Sequence, residues 1–275
     1  MVLTEELALR IEAAAVAWSR AWMAGVAGIE LGEFAPHVLA PCHPGRPDLD
    51  FQNRVNGLTP DDAELVPALL DWYASHGVHP WFELVPSDRS TDLLHALVDC
   101  PAVGFHAVAW APLRPSPPAP TPAVGASDVD VETIDPDDDE VFATFCRMRC
   151  RAHDLPPEVV DQATADLGGW RHAAGATFYL ARVEGVPAAT AALTVTDGGL
   201  AYLADGATLP AFRGRGIQTR LIRRRLADAQ RAGCELAASQ AAFGSTSHRN
   251  LSREGLVHGF TKLVLRRGTE QRPHH

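Results

Sequence analysis

The sequence predicts a mixed α/β fold built as two similar halves, on three observations. Apolar runs of strand length alternate with amphipathic runs of helix length. A proline-rich stretch divides the chain near its middle. The same strand-helix-strand-helix-strand succession closes both halves. At 275 residues the chain exceeds the usual length of one domain, and with 46% hydrophobic and 21% charged residues it has the composition of a packed globular protein.

The opening stretch, MVLTEELALRIEAAAVAWSRAWMAG, spaces its apolar residues as a helix does and carries Glu5, Glu6 and Glu12, so it reads as an amphipathic helix rather than a secretory signal. Farther on, FQNRVNGL reads as a strand, TPDDAELVPALLDWYASHG as a capped helix, PWFELVP as a strand, STDLLHALVDC as a helix and AVGFHAVAWAPL as a strand. Residues 112–127, PLRPSPPAPTPAVGAS, bury almost nothing and have the composition of a semi-rigid linker.

The second half opens with a strand at VDVETI and two helices in DPDDDEVFATFCRMRC and PPEVVDQATADLGGW. Three apolar runs, TFYLARV, PAATAALTV and LAYLADGATL, are separated by Glu184-Gly185 and Asp197-Gly198-Gly199, which predicts a three-stranded meander. A helix from Gly216 to Ala232, the strand CELAASQA, a short helix around STSHRNLSREG and the strand HGFTKLVLR complete the order. The divisions that follow are 1–111, a linker at 112–127, 128–268 and a tail at 269–275 that ends in His274 and His275.

No run approaches the length needed to span a bilayer, and five cysteines, Cys42, Cys100, Cys146, Cys150 and Cys234, are an odd and scattered set for a disulfide framework. Both readings point to a cytoplasmic protein without a membrane partner. The formal net charge of -10 argues against general nucleic-acid binding, because phosphate contacts need a broad basic face. Arginine in place of lysine, with Lys262 the sole lysine, and abundant alanine suggest a GC-rich bacterial gene.

Against that acidic background, Thr208–Arg225, TLPAFRGRGIQTRLIRRR, concentrates positive charge around two glycines and contains no acid. A helix N-terminus offers free backbone N–H groups and a partial positive charge, so a glycine turn ahead of it is suited to phosphate. Gly214 and Gly216 permit close approach, and Arg213 and Arg215 add forked donors. The spacing is neither a P-loop nor a dinucleotide G-x-G-x-x-G.

The hexapeptide Arg213-Gly-Arg-Gly216-Ile-Gln218 resembles the acyl-CoA loop of the GNAT superfamily of N-acetyltransferases, Gln/Arg-x-x-Gly-x-Gly/Ala, with Gln218 in place of the final small residue. Its position after the third meander strand, Pro210 three residues ahead, and Asn250 in STSHRNLSREGL strengthen the likeness, which covers about residues 127–266. The resemblance implies acetyl-CoA as co-substrate, no metal, and transfer to an amine acceptor by a monomer or homodimer. It implies a gap between the strands ADGATL and CELAASQA that takes the pantetheine arm, with backbone N–H groups near Ala207 and Leu209 as its donors. Ala207, Thr208, Leu209, Arg213, Gly214, Arg215, Gly216, Ile217, Gln218, Thr219 and Asn250 are the cofactor-binding set that it implies. One arginine of the run from Arg220 to Arg225 is expected at the cofactor's 3′-phosphate.

At the matching place in the first half, GLTPDDAE puts Asp61, Asp62 and Glu64 around a helix start, where they would repel a pyrophosphate. The resemblance therefore suggests a tandem GNAT arrangement whose N-terminal copy is degenerate, each copy a central mixed sheet flanked by helices. Among catalytic candidates, Asp205 on the cofactor strand is the best-placed carboxylate for the base. Tyr202 falls on the opposite face by strand alternation and reads as core. The family's usual acid, a tyrosine on the short helix before the last strand, is missing, which leaves Ser247 and His258 as substitutes. That departure keeps a non-catalytic acyl-CoA sensor as the alternative. Cys146, Cys150 and His153, and His37, Cys42 and His43, do not supply a four-ligand zinc pattern.

Overall fold

The computed structural model describes residues 3–87, 89–113 and 128–268. Most of the predicted linker and the whole tail lie outside the described residues. The first half contains α1 (Glu5–Met23), the strands β1 (Glu30–Gly32), β2 (Ala40–Cys42) and β3 (Arg54–Val55), α2 (Val66–Ser75), β4 (Trp81–Leu84), α3 (Thr91–Ala96) and β5 (Ala102–Pro112). The second contains β6 (Val129–Ile134), α4 (Asp139–Ala152), α5 (Pro157–Asp166), β7 (Ala176–Val183), β8 (Val186–Val195), β9 (Leu200–Thr208), α6 (Ile217–Arg231), β10 (Leu236–Ala242), α7 (Thr246–Arg253) and β11 (Val257–Arg266). The small β1–β2 pair, between predicted elements, has no counterpart in the second half.

All strands but β1 and β2 join one nine-stranded sheet in the order β3-β4-β11-β5-β10-β9-β8-β7-β6. The two halves thus share a sheet, and they do so by exchanging last strands. β5 of the first half lies between β10 and β11 of the second, antiparallel to both. β11 in turn lies between β5 and the first half's β4. The arrangement has an approximate two-fold: β3 pairs parallel with β4 as β9 does with β10, and the antiparallel pairs β4–β11 and β10–β5 flank the central pair. The repeat in the sequence therefore corresponds to a repeat in space.

Helix α1 starts at Thr4, whose side chain accepts from the Leu7 N–H at 3.2 Å, and it buries Leu7, Ile11, Ala14, Trp18 and Trp22. Those residues pack with Phe142, Phe145 and Val160 of α4 and α5 over one sheet face. Helices α6 and α7 cover the other face through Ile217, Leu221, Ile222 and Leu251. In the first half, α2 and α3 bury Leu69, Tyr73, Leu93 and Leu97 against Phe82 and Leu84 of β4. Glu83, between those two, points to the α1 side, as period-two alternation requires.

Under α1 lies a buried ionic cluster. Lys262 Nζ contacts Glu12, donates to Gln240 Oε1 at 2.9 Å and lies 3.7 Å from Glu83. Glu83 Oε1 lies 2.5 Å from His106 Nδ1, and Arg54 approaches the other carboxylate oxygen at 3.8 Å. Burial alone would raise the Glu83 carboxyl, but Lys262, the His106 hydrogen bond and Arg54 outweigh it and hold it below the usual carboxylate range. Burial raises Glu12, and Lys262 does not fully offset it.

Candidate active site

Strands β9 and β10 pair only from Leu200–Leu236 to Tyr202–Ala238, and past that point they diverge, at the place where the family resemblance implies a gap. The divergence starts at a bulge. On β9, Asp205 and Gly206 together stand opposite the single residue Ala191 of β8, one residue extra, since Ala204 pairs with Ala192 and Ala207 with Thr190. Asp205 sits at φ 48, in the left-handed region that Asp tolerates better than most side chains. The bulge resets the alternation of faces. Tyr202 and Asp205, expected on opposite faces, both face α1, where Tyr202 packs in its core and Asp205 meets Trp18, and both line one cavity of about 430 Å³ at the split.

That cavity joins elements of both halves. Trp18 and Trp22 of α1, Phe51, Arg54 and Glu83 come from the first; Arg149, Tyr202, Asp205, Arg225 and Gln240 from the second. Asp205 is held on both oxygens: Oδ1 accepts from Arg149 Nε at 2.9 Å and Oδ2 from Trp18 Nε1 at 3.2 Å. Tyr202 is 5% exposed. Burial, with Glu83, Glu12 and Asp205 nearby, pushes its phenol well above the ordinary value, so it carries its proton.

A second cavity, of about 760 Å³, adjoins the first and is lined by Ala207, Thr208, Arg213, Gly214, Gly216, Gln218, Thr219 and Asn250. Gly214 (φ 81) and Gly216 (φ 72) are both left-handed, which glycine alone adopts without strain, and Gly216 stands at the N-terminus of α6. Arg213 donates to Thr208 O at 3.2 Å and Ala152 O at 3.1 Å, fastening the turn to β9 and α4. Gln218 turns back to donate to Thr208 Oγ1 at 2.8 Å, and a Cβ at residue 206 would come within 2.8 Å of its Oε1. Gln218 therefore packs over Gly206 at the wall between the two cavities.

Several expected positions differ. The Leu209 N–H donates to Ala188 O at 3.0 Å, toward β8, and is not free for a pantetheine arm. By strand alternation Thr208, not Leu209, presents its backbone to the gap, in keeping with Thr208 O accepting from Arg213. Ile217 is 2% exposed and belongs to the core beneath α6, although its backbone borders the second cavity. Arg215 is exposed, with its guanidinium 5.4 Å from the Phe212 ring. Ser247 lines both cavities. His258 lines neither; it packs on Phe243 and His248 on the outer surface.

Of the arginine run, Arg223 pairs with Glu254 and Arg224 with Asp228. Arg225 turns inward, is 3% exposed, and donates to Leu221 O, Ala192 O and Ala204 O. Burial without a paired acid lowers it to about 10. It is thus committed beneath the β9 bulge rather than to a phosphate.

At the equivalent turn of the first half, Asp62 Oδ2 accepts from the Thr59 N–H at 2.7 Å and lies 2.9 Å from His37 Nε2. An internal carboxylate already occupies that helix start. Among the described residues no three His, Cys, Asp or Glu side chains converge as a metal site would require. No helix among them is long and apolar enough to cross a membrane.

A mixed sheet split between two parallel strands, beside a glycine turn at a helix N-terminus, defines the class as an α/β protein with a cleft at the split. Residues 144–248, within the second half, match the Acetyltransferase (GNAT) family model. Among solved structures the chain is similar to a GCN5-related N-acetyltransferase from Kribbella flavida (19% identity, 95% of this chain and 97% of that one covered, TM-score 0.59). It is also similar to a tandem GNAT protein from the clavulanic acid biosynthesis pathway (14% identity, 98% of each chain, TM-score 0.60). A GCN5-related N-acetyltransferase from Sphaerobacter thermophilus matches at 15% identity over 86% of this chain and 81% of that one, with TM-score 0.54. At these identities the likeness is one of fold, and it extends over both halves. No curated protein matches the sequence.

Proposed function

We propose that the chain is an acyl-CoA-dependent N-acyltransferase that moves an acetyl group from acetyl-CoA directly to an amine. The observation that carries this reading is the split between β9 and β10, flanked at one end by the Gly214–Gly216 turn and at the other by the two-half cavity. In this reading the pyrophosphate rests on the α6 N-terminus, Thr208, Gln218, Thr219 and Asn250 border the cofactor, and the thioester reaches the bulge at Asp205.

The amine nitrogen attacks the thioester carbonyl, the N–C bond forms, the C–S bond breaks and CoA leaves as thiolate. The nitrogen loses one proton and the thiolate gains one. Asp205 takes the first, directly or through water: each of its oxygens keeps a second lone pair besides the one used by Arg149 or Trp18. Tyr202 gives the second, since its neutral phenol faces the same cavity and has no hydrogen-bond partner among the described residues. Ser247, which borders both cavities, is a second candidate hydroxyl. Residues 128–268 supply the cofactor cleft and residues 1–111 one wall of the acceptor site, through Trp18, Trp22, Phe51, Arg54 and Glu83.

Calorimetry with acetyl-CoA, repeated on Gly216→Glu, tests the cleft. The expected result is binding that the variant loses, because the new side chain adds both backbone strain and a like charge at the phosphate. Absence of binding by the native chain, or binding unchanged in the variant, defeats the proposal. Binding without thiol release against any amine would favour a sensor.

A further inference from the structure

Resting on that reading, we infer that the acceptor amine carries a carboxylate and that Arg149 is its anchor. Arg149 occupies a site built for a cation. It is 7% exposed, and its guanidinium carbon lies 5.0 Å from the Trp170 ring, 5.5 Å from Phe51 and 5.7 Å from Trp22, so three aromatic walls fix its plane. Its Nε is taken by Asp205 at 2.9 Å. Its two terminal amino groups have no hydrogen-bond partner among the described residues, and the side chain lines the acceptor cavity.

A buried guanidinium with one edge paired and the other open toward a cavity is a fork without its anion. The planar donors match a carboxylate in geometry, and a charge-assisted pair of bonds from them is among the stronger hydrogen-bonded contacts. The rest of the lining agrees in sign. Arg54, Arg149 and Arg225 stand against Glu83 and Asp205, and Arg225 donates only to backbone carbonyls. The cavity has room for one small molecule, and its aromatic walls tolerate an apolar side chain. The chemical class is a small amino acid or an amino acid-like amine, with the nitrogen toward Tyr202 and Asp205 and the carboxylate on Arg149.

The test compares amine pairs that differ only in carboxylate against primary carboxamide, measured as thiol release from acetyl-CoA by the native full chain. The expected result is a kcat/KM at least about tenfold higher for the carboxylates, in line with one charge-assisted fork. Arg149→Lys, which keeps the charge and loses the fork, is expected to raise the acceptor KM by a similar factor. Its acetyl-CoA affinity, measured by calorimetry, reports that the variant is folded. Equal turnover of both members, or preference for the carboxamides, overturns the inference and leaves the acyltransferase reading standing. Turnover of no amine overturns both readings, and retained acetyl-CoA binding in that case separates a cofactor-binding protein from a failed cleft.

Discussion

Gln240 of β10 donates to Glu83 of β4 at 3.4 Å, and the two hold equivalent places in the two halves. Across the central pair Lys262 faces His106; two residues on, Val264 pairs with Glu83 and Val108 with Gln240. The same rotation relates the contact of Lys262 with Gln240 to that of His106 with Glu83. The approximate two-fold thus runs through a polar cluster at the floor of the acceptor cavity. Its asymmetry, an acid on one side and an amide on the other, leaves that floor with one carboxylate instead of two opposed.

Tyr202→Phe removes the hydroxyl and keeps the packing. We expect kcat to fall by about 10²-fold, the low end for a general acid, with acetyl-CoA affinity unchanged in calorimetry. Because burial raises the phenol above its ordinary value of 10.0, the native pH–rate profile should show no alkaline fall from this group below that pH. An early fall, or full activity in the variant, would place the proton donor elsewhere.

Lys262→Met should lower stability by about 3–5 kcal/mol in denaturant titration, since it leaves Glu12 and Glu83 buried without their cation. Adding Glu12→Gln should recover part of that loss. The native protein should also lose stability in acid. The Glu83 carboxyl is held below its ordinary 4.5, so its contribution is complete above that value and fades as pH falls toward the folded-state value. Glu83→Gln should flatten this part of the Tm against pH curve.

The five cysteines are all buried, and burial raises Cys42 and Cys146 to about 12. At pH 8 the native chain should react with a chromogenic disulfide reagent over hours rather than seconds, and with all five thiols once denatured. Fast labelling of the native protein would show that a thiol is reached by local opening.

Much of the fold is legible in the sequence because its elements are strongly periodic: the meander, α6 between two strands, and the repeated succession all stand where apolar spacing puts them. The exchange of β5 and β11 is not, because either half's last strand fits either neighbour and nothing local selects the partner. Asp205 and Tyr202 on one face escaped simple alternation, although Asp205-Gly206 inside a strand is itself a bulge signal. Arg149 carried a signal too. It follows Phe142, Phe145 and Cys146 on the apolar stripe of α4, where a charge has to have a partner or a use. The α1 contribution was illegible, since an amphipathic helix does not declare which sheet it will cover.

The exchange of strands also governs the order in which the protein can form. β5 is synthesised well before both of its neighbours, β10 and β11, and β4 waits for β11, the final strand of the described chain. The first half therefore leaves the ribosome with three strand edges unpaired, one on β4 and both on β5. The centre of the sheet can close only after β11 has been made, and the cavity that joins the two halves is complete only with it.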